Sequence, residues 1–275
     1  MYFGSHVSIS KGYLNAAKTA LAIGAKAFQY FPKNPRSLSV KSFDKKDTDN
    51  CAKFSKEHNL LSISHAPYPT NLAIDDQTII EQTILSIKND LEITEACGSI
   101  GLVVHFGNYK GTDLLKGYQN IVYLLNEVLE DWNGNSLLLI ENQAGQGTKM
   151  GMTIEELVQI RNLTKYPEKI GYCFDTCHAF ASDLWNGDNH QAFLENGEKL
   201  QYFKHIKAIH LNDSVYPNAS YRDRHANIGK GYIGEKNIKR FLELPFLEKI
   251  PIILETPQSQ TYTHQEEITY LRTLV

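Results

Sequence analysis

A single α/β domain folded as a (β/α)8 barrel (a TIM barrel), with its active site at the C-terminal rim of the strands, is the fold class that this sequence predicts. Three observations predict it: eight short apolar runs rich in β-formers, helical spacing between them, and imidazoles or carboxylates where the runs end. The 275 residues suit one barrel of about 250 residues. No Pro/Gly/Ser-rich linker or charge block divides the chain, so residues 1–275 read as one domain.

The strand candidates are YFGSHVS (2–8), AKAFQYF (25–31), LLSISH (60–65), IGLVVH (100–105), SLLLIEN (136–142), IGYCFD (170–175), IKAIHL (206–211) and IPIILET (250–256). After the third, Ile80, Ile84, Ile87 and Leu91 recur at steps of three and four, and Gly98 supplies a C-terminal stop. After the fourth, Leu114, Tyr118, Ile121, Leu125, Val128 and Trp132 repeat the pattern up to Gly134. Thr153 and Glu156 form a capping box before Leu157 and Ile160. Helical connections favour parallel strands. Runs such as LVV and LLLI are apolar on both faces, as a strand between barrel interior and helices must be. An open doubly wound sheet is the alternative, but no GxGxxG or GxxxxGK[ST] loop follows a strand.

The composition excludes several classes. No stretch resembles a membrane span of about 18 apolar residues, and MYFGSHVSI lacks the pattern of a signal peptide. Cysteines 51, 97, 173 and 177 are too few and too scattered for a disulfide framework. The expectation is a soluble, cytoplasmic monomer with no membrane partner. The net charge of −3 argues against a polyanionic partner unless bound cations change the sum.

The strand ends carry the chemistry. The third ends in His65, the fourth in His105, the fifth in Glu141, the sixth in Asp175, the seventh at His210 and the eighth in Glu255. Parallel barrel strands all end on one rim, so these six would converge. Carboxylates crowded without compensation repel and are driven toward protonation, whereas divalent cations hold them ionised and the imidazoles neutral. His178, just past the sixth strand, and Asp223 with His225, alternating in RDRH, extend the set. Nitrogen and oxygen donors without a thiolate set suit zinc, with manganese or iron as substitutes, and nine ligands suffice for up to three ions. Cys177, between two inward-facing residues, reads as structural. His6, His58, His190, His205 and His264 read as surface or packing residues.

With those residues laid out, the chain resembles the endonuclease IV family, zinc-dependent apurinic/apyrimidinic (AP) endonucleases of base-excision repair. The matching segments run nearly end to end: GSHVSISKG, FPKNPR, HAPY, HFGNYKG, ENQAGQGTKMG, GYCFDTCHAFASD, HLNDS, DRHANIGKGYIG and ILETP. The resemblance implies a barrel with three zinc ions. His65 and His105 would hold the first, Glu141 would bridge first and second, Asp175, His210 and Glu255 would complete the second, and His178, Asp223 and His225 would hold the third. Glu141 and Glu255 would be catalytic. The implied reaction is cleavage 5′ to an abasic site, leaving a 3′-hydroxyl and a 5′-deoxyribose phosphate, together with cleaning of blocked 3′ ends. Three divalent ions would turn the charge of −3 into about +3. Lys33, Arg222, Arg224, Lys230 and the KGYIG amides are candidate phosphate contacts for double-stranded DNA. Resemblance assigns Arg36 and Tyr68 to the duplex at the lesion.

Three segments depart from the family pattern: Pro69 after Tyr68, the loop from Val215 to Tyr221, and SDLWNGDN (182–189). All are expected in substrate-facing loops. The rival reading is a metal-dependent sugar isomerase or epimerase of the xylose-isomerase-like barrels, which would not need His65, His105, His178 and the Asp223/His225 pair.

Overall fold

The computed structural model describes residues 1–260 and 262–275. Its centre is a closed parallel barrel of the strands β1 (Tyr2–His6), β2 (Ala27–Tyr30), β3 (Leu61–His65), β4 (Gly101–His105), β5 (Leu137–Glu141), β6 (Ile170–Asp175), β7 (Ile206–His210) and β10 (Pro251–Leu254). Around the barrel they follow the order β1-β10-β7-β6-β5-β4-β3-β2. Two short strands, β8 (Asp213–Ser214) and β9 (His225–Ala226), pair antiparallel over the rim. All eight expected barrel strands are present. The run 170–175 is β6 residue for residue, and the other seven are trimmed by one to three residues, where their flanking positions lead out of the strand.

Helices fill the connections: α1 (Tyr13–Ala22), α2 (Lys45–Glu57), α3 (Gln77–Ala96), α4 (Leu114–Leu129), α5 (Ile154–Leu163), α6 (Thr176–Ala181), α7 (His190–Lys199), α8 (Gly234–Leu242) and α9 (His264–Leu274). Several of the starts have a local cause. Asp44, Asp76 and Asp113 accept hydrogen bonds from the first-turn amides of α2, α3 and α4, worth about 1 kcal/mol each. Thr153 with Glu156, and Thr263 with Glu266, form complete capping boxes. The stripe Ile121, Leu125 and Val128 is buried as its spacing requires, but α4 stops at Leu129. Trp132 lies beyond the helix, where its indole donates to Ser136 O at 2.9 Å. No described helix is long and apolar enough to cross a membrane.

The barrel interior is built in tiers. Ala27, Ile63, Val103, Leu139, Cys173, Ala208 and Ile253 form one apolar cluster inside it. Strand side chains alternate faces, so the next interior position on each strand lies two residues further on, toward the rim. Those positions are Gln29, His65, His105, Glu141, Asp175, His210 and Glu255. On β1 the same step leads from Gly4 to His6. Gly4 can have no side chain there, because a Cβ would fall 1.8 Å from Ala27 O. The polar tier therefore rests on a packed apolar floor, where truncating Leu139 to Ala would cost about 2–5 kcal/mol.

Candidate metal centre

The polar tier is a connected cluster with Glu141 at its centre. Glu141 Oε1 lies 2.8 Å from His210 Nδ1, and Glu141 Oε2 lies 3.4 Å from His105 Nε2 and 3.5 Å from His65 Nε2. His210 Nδ1 also faces Glu255 Oε2 at 3.2 Å. On the far side, Asp223 Oδ1 is 3.3 Å from both His178 Nε2 and His225 Nε2. Among the described residues three cysteine-free sets of ligand atoms, each within 4.8 Å of one another, result: His65/His105/Glu141, Glu141/Asp175/His210/Glu255, and His178/Asp223/His225. All nine residues singled out in the sequence are brought together. Glu255 sits one residue beyond β10 and is held by its amide, which donates to Asn212 Oδ1 at 3.0 Å.

Local structure explains how they converge. Asp175 is both the last residue of β6 and the N-cap of α6, its Oδ1 accepting from the His178 amide at 2.7 Å. One turn of helix then carries the His178 ring back over the rim. Asn142 grips the backbone of Asp175 at both ends, accepting from its amide at 2.8 Å and donating to its carbonyl at 3.0 Å. Asn212 donates to Asp175 Oδ2 at 2.8 Å. The imidazoles are oriented by their outer nitrogens: His65 Nδ1 donates to Ala66 O at 2.7 Å, and His178 Nδ1 to Asn142 O at 2.9 Å. Each leaves Nε2 free as a lone-pair donor.

Electrostatics show a cluster under load. Burial works against ionising Glu141, but His210, His65 and His105 outweigh it and hold the carboxyl well below its usual range. Burial wins at Asp175, whose carboxyl is pushed up. Burial resists charge on His225, yet Asp223 and Asp175 raise it to about 9. His105 is lowered by burial to about 4, a pull that Glu141 and Asp223 do not overcome. Without cations the positive charge that balances the carboxylates falls on His178, His210 and His225, each raised against burial by neighbouring acidic groups. Among the described residues Glu141 Oε2 and His225 Nε2 are buried with no hydrogen-bond partner, their nearest ion-pair contacts lying at 3.4 Å to His105 and 3.3 Å to Asp223, which is costly unless another species meets them.

Cys177 joins an Asp175/His225 group by distance, but burial pushes its thiol up to about 12. Its sulfur instead approaches Arg224 O at 3.6 Å, in keeping with a structural role.

The profile of the xylose isomerase-like TIM barrel family matches residues 17–274. A probable endonuclease 4 of Symbiobacterium thermophilum is 40% identical over 275 residues, covering all of both chains. The crystal structure of endonuclease IV from Thermus thermophilus superposes with a TM-score of 0.83 at 30% identity, covering 100% of this chain and 97% of that one. The chain belongs to the endonuclease IV family. A D-tagatose 3-epimerase-like protein, 22% identical with a TM-score of 0.72 over 100% of this chain and 98% of its own, shares the fold.

In this endonuclease IV family member a cleft of about 350 Å3 opens over the cluster, lined by Phe31, Tyr68, His105, His225 and Glu255 among others. Tyr68 is 67% exposed, and Arg36 is exposed on the neighbouring loop. Their two loops are tied together by the Tyr68 amide, which donates to Pro35 O at 2.8 Å. Arg222, Arg224 and Lys230 are exposed on the loop around β9, and the Arg222 guanidinium lies over the Tyr216 ring at 4.8 Å.

Four expectations are corrected. Lys33 is no phosphate contact: it is buried, with its ammonium 3.1 Å from Asp90 Oδ1 and 2.9 Å from both Ser86 O and Ser86 Oγ. The KGYIG amides are not free for phosphate. Those of Gly231, Ile233 and Gly234 donate to the buried Asp213 carboxylate, that of Lys230 to Asn227 O, and that of Tyr232 to Ser214 O. The SDLWNGDN segment spends its bulkiest residue on the core, since Trp185 is fully buried against Phe241 of α8. His6 is more than a surface or packing residue, for it stands in the polar tier and lines the cleft; His264 lines it too but packs as expected, buried with its Nε2 on Thr256 O at 2.9 Å. Gln29, fully buried in the same tier, is a member that the sequence reading does not single out. The signal that could have found it is its place two residues past Ala27, in step with every other member.

Proposed function

We propose that the protein is a DNA-repair AP endonuclease that hydrolyses the phosphodiester 5′ to an abasic site, leaving a 3′-hydroxyl and a 5′-deoxyribose phosphate, and that also trims blocked 3′ ends. The observation that carries this reading is the pair of ligand groups joined through Glu141, with a third group beside them, at the mouth of one barrel. The donor set fits zinc: imidazole nitrogens and carboxylate oxygens, several oriented by outer hydrogen bonds, with two buried ligand atoms that make no hydrogen bond among the described residues. His65, His105 and Glu141 would hold one ion, Glu141, Asp175, His210 and Glu255 a second, and His178, Asp223 and His225 a third. When bound, the ions supply a water nucleophile at neutral pH and Lewis-acid stabilisation of charge on the phosphate.

The chain's own residues do the rest. Glu141, shared by two groups, would keep them in fixed relation, and Glu255, its side chain one-fifth exposed at 21%, would stand at the cleft edge of the second group, where its carboxylate would receive the proton released by the attacking water. Arg36 and Tyr68 enter the duplex at the lesion, and Arg222, Arg224 and Lys230 contact the flanking phosphates. Among the described residues no lysine stands in the polar tier, so no Schiff base is needed. Four buried free cysteines suit a reducing cytoplasm, where the protein acts as a monomer.

The test is a duplex with one abasic site, assayed alongside elemental analysis of the purified protein. Nicking on the 5′ side with about three zinc ions per chain supports the reading. One ion per chain, or turnover of a ketose without nicking, overturns it in favour of a sugar epimerase.

A further inference from the structure

Gln29 is the member of the polar tier that cannot itself be a charged ligand, and it touches two residues that can. Its Nε2 donates to Glu255 Oε1 at 2.6 Å, and its Oε1 lies 2.7 Å from His210 Nε2. A second contact from Nε2 reaches His6 Nδ1 at 3.3 Å. The side chain is fully buried, and its backbone is held in register with His6 on β1 and Ile63 on β3.

The direction of these bonds follows from chemistry. Reversing the carboxamide would set an amide oxygen against a carboxylate oxygen at 2.6 Å, two acceptors with no hydrogen between them. Oε1 therefore faces His210, and because an amide oxygen only accepts, His210 Nε2 carries the hydrogen. His210 Nδ1, the nitrogen facing Glu141 and Glu255, meets Glu141 Oε1 at 2.8 Å through a hydrogen while no cation is present, and with Nε2–H fixed on Gln29 it is Nδ1 that gives up its hydrogen and becomes the lone-pair donor when an ion takes that place. His65 and His178 show the opposite choice, with Nδ1 committed to a backbone carbonyl. At His210 a side-chain amide from β2 takes the place of that carbonyl.

Resting on the reading of this cluster as a metal centre, we propose that Gln29 is a positioning residue for the Glu141/Asp175/His210/Glu255 group: it fixes the His210 tautomer and clamps Glu255, so that this group is assembled before an ion arrives. Outer partners of this kind are worth about 10–100-fold in metal affinity.

The test measures zinc alone, in competition with a chromophoric chelator, on the full chain and on Gln29→Leu and Gln29→Ala. The expected result is an affinity weaker by about 10–100-fold for one ion, the others keeping theirs. Nitrogen-15 shifts of His210 in the zinc-loaded chain should show hydrogen on Nε2 and none on Nδ1 in the native protein, and a mixture in both variants. Unchanged affinity for every ion in a folded variant overturns the proposal, and so does equal weakening of all ions together with a lower melting temperature, which marks a merely structural role. If Leu does not fold, Ala, which leaves room for water, decides on the same readout. A native chain that binds no zinc would instead sink the metal-centre reading itself.

Discussion

The Lys33 ammonium lies 3.1 Å from Asp90 Oδ1, and neither group reaches solvent. Lys33 stands in the loop between β2 and α2, three residues before Arg36, while Asp90 and Ser86 lie one turn apart on α3. The pair therefore pins the Arg36 loop to the helix layer. Lys33→Met leaves a carboxyl buried without its cation and should cost about 3 kcal/mol or more in urea denaturation. It should leave the dependence of DNA affinity on salt unchanged, because no phosphate contact is lost. A salt slope lower by about one would restore Lys33 to the DNA interface.

Glu141 is fully enclosed and belongs to two of the three ligand groups. Glu141→Gln keeps the volume but removes the charge that both groups share. Nicking of an abasic duplex should fall by at least about 100-fold, the order that loss of a key electrostatic group costs. Zinc content should drop more than helicity does. Prolonged chelation of the native chain should abolish nicking and lower the melting temperature, since ions that bind only the folded state stabilise it. Calorimetry before and after readdition of zinc checks both.

How much of this is legible in the sequence depends on how far each residue's chemistry shows in its own letter. His65, His105, Glu141, Asp175, His210 and Glu255 are legible together: one such side chain at a strand end is usually structural, but six in register have few bland explanations, and the barrel puts all strand ends on one rim. Lys33 misleads because its letter says cation, while its fate is set by Asp90, far along the chain on α3. The KGYIG amides mislead for a similar reason: a glycine-rich loop advertises free N–H groups, and Asp213 takes three of them. Gln29 and His6 escape notice because β1 and β2 carry no acidic residue at the rim to draw attention to the tier. Trp132 fits the helical spacing of α4, yet the helix ends before it.

Tyr68 packs edge-on against Phe31, ring centroids 5.1 Å apart, and most of its ring faces solvent. Truncation to Ala removes little that the folded chain needs, so stability should change by less than about 0.5 kcal/mol. Binding to a duplex with an abasic site should weaken by the equivalent of about 1–3 kcal/mol, the worth of one base–aromatic stack, while an intact duplex should be affected less. Equal loss on both duplexes would place Tyr68 on the backbone, away from the lesion. Fluorescence anisotropy at fixed salt separates the two outcomes.

Asp213 anchors the loop that carries Lys230 and stands outside all three ligand groups. Its buried carboxylate accepts from the amides of Ser214, Gly229, Gly231 and Ile233 at 2.7, 3.0, 3.0 and 2.9 Å, and from Gly234 at 3.2 Å. The loop can wrap this closely because a Cβ on Gly231 would fall 2.3 Å from Ser214 O, and Gly229 and Gly234 take positive φ angles of 74° and 76°. Asp213→Ala would strand several amides in a space too enclosed for each to find water, at about 1–3 kcal/mol for each one left unmet. The loop can release part of that cost only by opening. The expected outcome is local: amide hydrogen exchange at Gly229, Gly231 and Ile233 speeds up, proteases cut within 229–234, and the salt slope of DNA binding falls by about one as Lys230 loses its fixed place. Zinc content should stay near that of the native chain. Loss of all ions together with the loop would mean that Asp213 supports the whole rim, and the hydrogen-exchange pattern across β7 and β10 would show it.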